Sequence, residues 1–416
     1  MSIVVTQTSP LPHPSIRSDH HKSYRTYSLT ANPYRQSVAK LKWQRRIEIM
    51  EKAVTEKETI RGGSGGTVDP KKKNKNSASS SSNRSLNHFR YAASGMQGRR
   101  HSMEDAHICH VFPDMNGHAL FCVLDGHGGT EASEFASEEL TRILCDTEDW
   151  QSYAQKVTPY LRKGKQEPRN RTMNDLTKLL EKALIRAFAE LDRELYLEHF
   201  YGDEPEPSST AGSTAVVVLL TPFVLVCANV GDSRSVLACS STASPTSVTA
   251  TPLSEDHTPI LTTEKQRIEM AGGKVQLGRV NGELAVSRAF GDFELKDIAG
   301  LLLDEYDPND ADDAEQLLER AQKQMVTAFP EIRVYSRDDS TDRFIILACD
   351  GVWDVASNED CVEWVTALLE LGQDDLGIVC EHILDRCLQQ GSQDNMTIVI
   401  VLLEAGQKLI GKAKRR

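Results

Sequence analysis

Beyond residue 88 the chain alternates between two spacings of apolar residues. Ala119 to Leu124, Ala215 to Leu220, Phe223 to Ala228, Phe344 to Cys349 and Thr397 to Leu403 are short runs, apolar at nearly every position and rich in β-branched residues. That length and texture predict strands buried on both faces, because a half-solvated strand would alternate with polar residues. Thr221-Pro222, between the second and third runs, marks a hairpin turn. The other spacing is helical: Leu176, Leu179, Leu180, Ala183, Leu184, Ala187, Phe188, Leu191 and Leu195 recur at i, i+3 and i+4. Strands covered on both faces, together with amphipathic helices, predict an α+β fold in which packed sheets are flanked by helices.

Ahead of residue 88 this texture is missing. Ser37 to Ile60 carries only a weak helical stripe (Val38, Leu41, Met50, Val54) beside Lys42, Arg45 and Arg46, which reads as a marginal, solvated helix. A Gly-Ser-rich stretch follows from Arg61, then the lysines 71, 72, 73 and 75 and a serine run, too polar to offset chain entropy by burial. The expected organisation is a disordered basic arm over 1–87, one domain over 88–404 with an acidic insert at about 297–328, and a basic tail over 405–416. Residues 1–87 hold 16 Lys+Arg against 6 Asp+Glu, and the remainder holds 32 against 54. A body with net charge −22 excludes duplex nucleic acid as its main ligand, which needs Lys/Arg contacts to phosphate. If the body handles phosphate, the repulsion has to be reversed locally by bound cations.

The nine cysteines are scattered without a Cys-x-x-Cys pair, and Cys122, Cys227 and Cys349 lie inside apolar runs, as expected of reduced core thiols. No secretory signal is visible, and Ser2 replaces the glycine of a myristoylation site. The longest apolar stretch, Ala215 to Ala228, is interrupted by Thr221-Pro222 and too short to cross a bilayer, so no membrane association is expected. An intracellular protein of the cytoplasm, the nucleus or both follows. The clusters Lys71 to Lys75 and Lys412 to Arg416 suit nuclear import or plain solvated charge. Residues 1–46, with one acid (Asp19) against eight Lys and Arg, keep a mitochondrial transit peptide open.

The candidate chemistry lies in the aspartates. Asp125 follows the run FCVL, Asp232 follows VLVCANV, Asp350 follows FIILAC, and Asp394 precedes the final run in DNMTIVIVLL. Any one of them is explained by the turn preference of Asp-Gly and Gly-Asp. Four at strand ends, with Glu104-Asp105, describe carboxylates held on a rigid scaffold. Oxygen ligands without clustered His or Cys suit Mg²⁺ or Mn²⁺ rather than Zn²⁺. Gly126, after Asp125, lets backbone come close to such an ion. A rival signal, Cys380 and Arg386 with five residues between them, has the spacing of cysteine-dependent phosphatases. The segment between them has no glycine, carries Glu381 and Asp385, and has a helical pattern, so it cannot form the phosphate-cradling loop that chemistry needs.

Seven segments in order, RRHSMEDAH (99–107), FCVLDGHGG (121–129), AGSTAVVV (211–218), ANVGDSRSVL (228–237), LAVSRAFGD (284–292), ILACDGVWDV (346–355) and GSQDNMTIVIV (391–401), resemble the motif series of the type 2C metal-dependent protein phosphatases. The resemblance implies a four-layer α-β-β-α sandwich of two antiparallel sheets. It further implies that Asp125 bridges two Mg²⁺ or Mn²⁺ ions with the carbonyl of Gly126 as a further ligand, that Asp350 and Asp394 complete one site, and that Glu104 supports the other. Asp105 would orient the attacking water and belong to the metal set, and Asp232 with Asp354 would hold a third ion. Arg100 matches the phosphate-binding arginine, with Arg99 as its neighbouring rival, and His127 matches the general acid. The implied activity is hydrolysis of phosphoserine and phosphothreonine in phosphoprotein substrates by a water activated between two ions, in a monomer whose amino-terminal arm docks partners. Two alternatives stay open: a non-catalytic module of the same fold, and a metal-dependent hydrolase of small phosphoesters. The acidic segment between GDFELK and PEIRV, longer than the resemblance implies, reads either as a solvated loop or as a neighbour of the substrate-binding flap.

Overall fold

The computed structural model describes residues 57–63, 89–162, 168–199, 210–241, 244–301 and 311–411. The arm over 1–56 and 64–88, the acidic stretch 302–310 and residues 412–416 lie outside the described residues. The strands in chain order are β1 (Lys57–Gly63), β2 (Arg90–Met96), β3 (Ala106–Val111), β4 (Ala119–Leu124), β5 (Gly126–His127), β6 (Gly212–Ser213), β7 (Ala215–Leu220), β8 (Val224–Val230), β9 (Arg234–Ser241) and β10 (Ser244–Pro252). They continue with β11 (Val275–Gln276), β12 (Arg279–Val280), β13 (Phe290–Gly291), β14 (Glu331–Ser336), β15 (Asp342–Ala348) and β16 (Met396–Leu402). The helices used below are α1 (Glu131–Asp146), α2 (Glu148–Arg162), α3 (Asn170–His199), α4 (Thr262–Met270), α5 (Ile298–Leu301), α6 (Ala311–Gln322), α7 (Asp350–Trp353), α8 (Asn358–Glu370), α9 (Leu376–Gln389) and α10 (Glu404–Gln407).

Two antiparallel sheets, ordered β1-β2-β16-β15-β9-β10 and β14-β8-β7-β4-β3, carry the fold. The period-two geometry of a strand explains why their sequences are apolar throughout. In β4, Leu120, Cys122 and Leu124 pack under α1, α2 and α3, while Ala119, Phe121 and Val123 face the other sheet. In β15, Ile345 and Leu347 enter the inter-sheet core, while Phe344, Ile346 and Ala348 pack under α8 and α9. Three apolar layers therefore separate helices, sheet, sheet and helices, the four-layer sandwich. Thr221 turns β7 into β8, accepting the backbone N–H groups of Phe223 and Val224 on its hydroxyl at 3.2 and 2.9 Å. Cys380 and Arg386 lie on α9, Cys380 buried and Arg386 stacked 4.1 Å from the Trp364 ring, so they form no phosphate loop.

Three boundaries differ from expectation. Lys57–Gly63, placed by the sequence in a helix and a disordered arm, pairs with the outer side of β2 from Lys57↔Met96 to Gly63↔Arg90. Backbone hydrogen bonds along a waiting sheet edge outweigh the weak helical stripe. The basic tail begins later than residue 405, because Ala405 and Leu409 are fully buried. In the acidic insert, read from the sequence as a solvated loop or a flap neighbour, α6 sets Leu317 and Ala321 against Ala189 of α3, so this part is a packed buttress.

Candidate metal centre

Antiparallel pairing turns separate sequence positions into one cluster. Ala106 faces Leu124 across β3 and β4, so Asp105, just before β3, meets Asp125, just after β4. Asp232 lies in the tight turn from β8 to β9, Asp350 opens α7 after β15, and Asp394 sits two residues ahead of β16. Asp125, Asp232 and Asp350 place one carboxylate oxygen each within 4.8 Å of the others; Asp105 and Asp125 do the same with the sulfur of Cys349. The cleft above them, about 460 Å³, is lined by Arg100, Glu104, Gly126, His127 and Asp394 as well as by Asp125, Asp232 and Asp350. Arg99 does not line it. Arg100 is half-exposed and reaches Asp394 with Nη2 at 2.5 Å from Oδ2.

The backbone around the cluster leaves no room for side chains. A Cβ on Gly126 would collide with the Glu104 carbonyl and come within 2.8 Å of Ser133 Oγ. Only glycine lets β5 pass this close to the Glu104 loop. Asn395 fastens that loop: it accepts the Glu104 N–H at 2.9 Å and donates to the Gln97 and Ser102 carbonyls at 2.8 Å. Thr397 donates its hydroxyl to Asp105 Oδ2 at 2.7 Å.

Crowded carboxylates must take up protons or gain cations. Burial, with the charges of Asp350 and Asp394, holds Asp105 up at about 7 against the lowering hydrogen bonds of Thr397 and Cys349. Burial and the Asp350 charge hold Asp232 at about 7. Asp125 is pushed well above the carboxylate range by burial and by Asp105, Asp350 and Asp232, and Asp350 is raised mainly by burial. Asp105 Oδ1 is buried without a hydrogen-bond partner among the described residues. A donor set dominated by carboxylate oxygens, mutual repulsion and an orphaned carboxylate oxygen together fit hard divalent cations.

A family model described as Protein phosphatase 2C matches residues 89–396. The chain belongs to the protein phosphatase 2C family. Relatives include Protein phosphatase ppm-1.A of Caenorhabditis elegans, 35% identical over 328 residues (78% of this chain and 61% of the relative), and Protein phosphatase 1B of Bos taurus, 35% identical over 337 residues (79% and 60%). Protein phosphatase 1A of Homo sapiens is 32% identical over 332 residues, 79% of this chain and 75% of the relative. The chain thus spans about three fifths of the length of the first two. The serine-threonine phosphatase 2C of Toxoplasma gondii shares the fold at a TM-score of 0.59 with 24% identity, over 83% of this chain and 99% of that one.

Within this phosphatase 2C scaffold the structure adds residues that sequence reading left without a role. Asp292, in the family segment LAVSRAFGD, accepts from His127 Nε2 at 2.9 Å on both oxygens. It is 7% exposed and sits in the left-handed region at φ 50°, ψ 40°. Burial lowers the His127 pKa, but the hydrogen bond and charge of Asp292, with the charges of Asp232 and Glu104, outweigh it and the net shift is upward. Gly212 permits this pairing, since a Cβ there would strike both His127 and Asp292. The aspartate's presence in a quoted segment was the available signal; its partner, 165 positions away, was not readable. Arg279, on β12, also lines the cleft and adds a second cation to it. Asp232 stands in the central group with Asp125 and Asp350, whereas Asp354 is exposed and acts on the cluster through its charge.

Proposed function

We propose that the chain is a metal-dependent protein serine/threonine phosphatase that hydrolyses phosphoserine and phosphothreonine monoesters of phosphoproteins. The observation that carries this reading is the convergence of carboxylates from both sheets on one cleft that also holds Arg100 and His127. Asp125 would be shared between two Mg²⁺ or Mn²⁺ ions, Asp350 and Asp394 completing one site and Glu104 with the Gly126 carbonyl the other; Asp232 and Asp354 would take a third. Such ions supply an activated water at neutral pH and offset charge on the phosphoryl oxygens.

The protein's own groups do the rest. Arg100 exchanges Asp394 for two phosphoryl oxygens, which its planar fork fits. Asp105, oriented by Thr397, accepts a hydrogen bond from the attacking water. His127, held at Nε2 by Asp292, donates from Nδ1 to the departing serine or threonine oxygen. The non-catalytic reading is disfavoured because Asp125, Asp350 and Asp394 are all present and the cleft is open.

The test compares a phosphopeptide panel with small phosphoesters, with Mg²⁺ or Mn²⁺ and with excess chelator. Metal-dependent turnover that favours phosphoserine and phosphothreonine peptides is expected. Full activity in chelator refutes the metal reading, and activity on small esters alone refutes the protein substrate. The 1–56 arm is assigned to targeting or docking, so its removal leaves turnover unchanged. Removal through residue 87 also strips β1 from β2 and lowers stability.

A further inference from the structure

At the outer end of the six-stranded sheet, α8 and β10 enclose a groove of about 520 Å³. Its floor is apolar, with Val248 and Ala250 from β10 and Val362 from α8. Its rim is acidic, with Glu359, Glu363 and Glu370, and among the described residues no Lys or Arg lines it. Spacings of four and seven residues put these three carboxylates on one face of α8. β10 is the outermost strand of its sheet. Outer strands are the ones that proteins cover.

The end of the described chain leads to this groove. Leu409 is buried under the sheet, and the Gly411 N–H donates to the Leu369 carbonyl at 2.9 Å, one residue from Glu370. The next residues are Lys412-Ala413-Lys414-Arg415-Arg416, four positive charges in five positions. Extended, five residues reach about 16 Å. From Glu370 back to Glu359 along α8 is also about 16 Å at the helical rise.

We propose that residues 412–416 dock in this groove as an electrostatic latch, running back along α8 with their cations on Glu370, Glu363 and Glu359 and their aliphatic stems on the apolar floor. Lys and Arg are suited to it, since their methylene stems lie on apolar surface while the charged head stays hydrated. The other basic segment, Lys71 to Lys75, is worse placed. It is tethered to β1, five strand spacings or about 24 Å across the sheet from β10.

Zero-length carbodiimide cross-linking of the full-length chain, read by mass spectrometry, tests the latch. An isopeptide bond from Lys412 or Lys414 to Glu363 or Glu370 is expected, with a yield about fivefold higher at low than at high ionic strength. Glu363→Gln with Glu370→Gln should remove it and leave phosphopeptide turnover unchanged. Mixing isotope-labelled and unlabelled chains separates links within one chain from links between copies. Links from Lys71 to Lys75 to these glutamates, links only between copies, or none from the tail at low ionic strength would each overturn the proposal.

Discussion

Asp292→Asn probes the His127 pair with little disturbance elsewhere. Asparagine matches the shape of aspartate and tolerates the left-handed backbone at φ 50°. What it removes is the negative charge 2.9 Å from His127 Nε2. A hydrogen bond to a charged group contributes about 1.5–3 kcal/mol, which converts to roughly 10- to 100-fold in rate if the bond supports proton donation in the transition state. The assay is kcat on a phosphoserine peptide beside kcat on an aryl phosphate, whose phenolate departs without a proton. The peptide reaction should fall by the full factor and the aryl reaction by less than about threefold. Because Asp292 raises the His127 pKa, its loss lowers it, so the basic limb of the peptide pH profile should move to lower pH. Equal losses on both substrates, with an unmoved basic limb, would show that Asp292 only supports the loop.

Lys296→Met removes the partner of Asp192, an ion pair at 2.7 Å with both side chains at most 2% exposed. The buried charge left behind should cost about 3–5 kcal/mol in urea unfolding, and a loss below about 1 kcal/mol would contradict this. Glu264 is held at about 2 from an ordinary 4.5; burial opposes this, and Arg288 and Arg267 outweigh it. Its contribution of about 2–4 kcal/mol is present above pH 4.5 and lost as pH falls towards 2, so Glu264→Gln should flatten that part of the acid unfolding curve. In the metal-free protein the raised carboxylates act in the opposite sense: Asp105 and Asp232 stabilise below pH 3.8 and lose that contribution as pH rises through about 7. Asp350→Asn should therefore raise the melting temperature in chelator while abolishing turnover; a lower melting temperature would count against mutual repulsion.

The sequence by itself determined the layers and the candidate carboxylates. Runs such as Ala119–Leu124, apolar at every position, can only be strands covered on both sides, and aspartates at their ends are fixed by the scaffold that those strands form. Local pattern also separated the long α3 from the sheets and rejected the Cys380–Arg386 spacing. Only the tertiary structure decided what depends on distant partners. Lys57–Gly63 is a strand because β2 offers it an edge, whatever its own weak preference. The acidic α6 is a buttress because Ala189 of α3 receives Leu317 and Ala321. Asp232 joins Asp125 and Asp350, Arg100 rather than Arg99 faces the cleft, and Asp292 finds His127, because antiparallel pairing and a loop in left-handed conformation carry them there. A carboxylate's type is written in the chain, while its pKa, partner and role depend on which other charges the fold sets within a few ångströms of it.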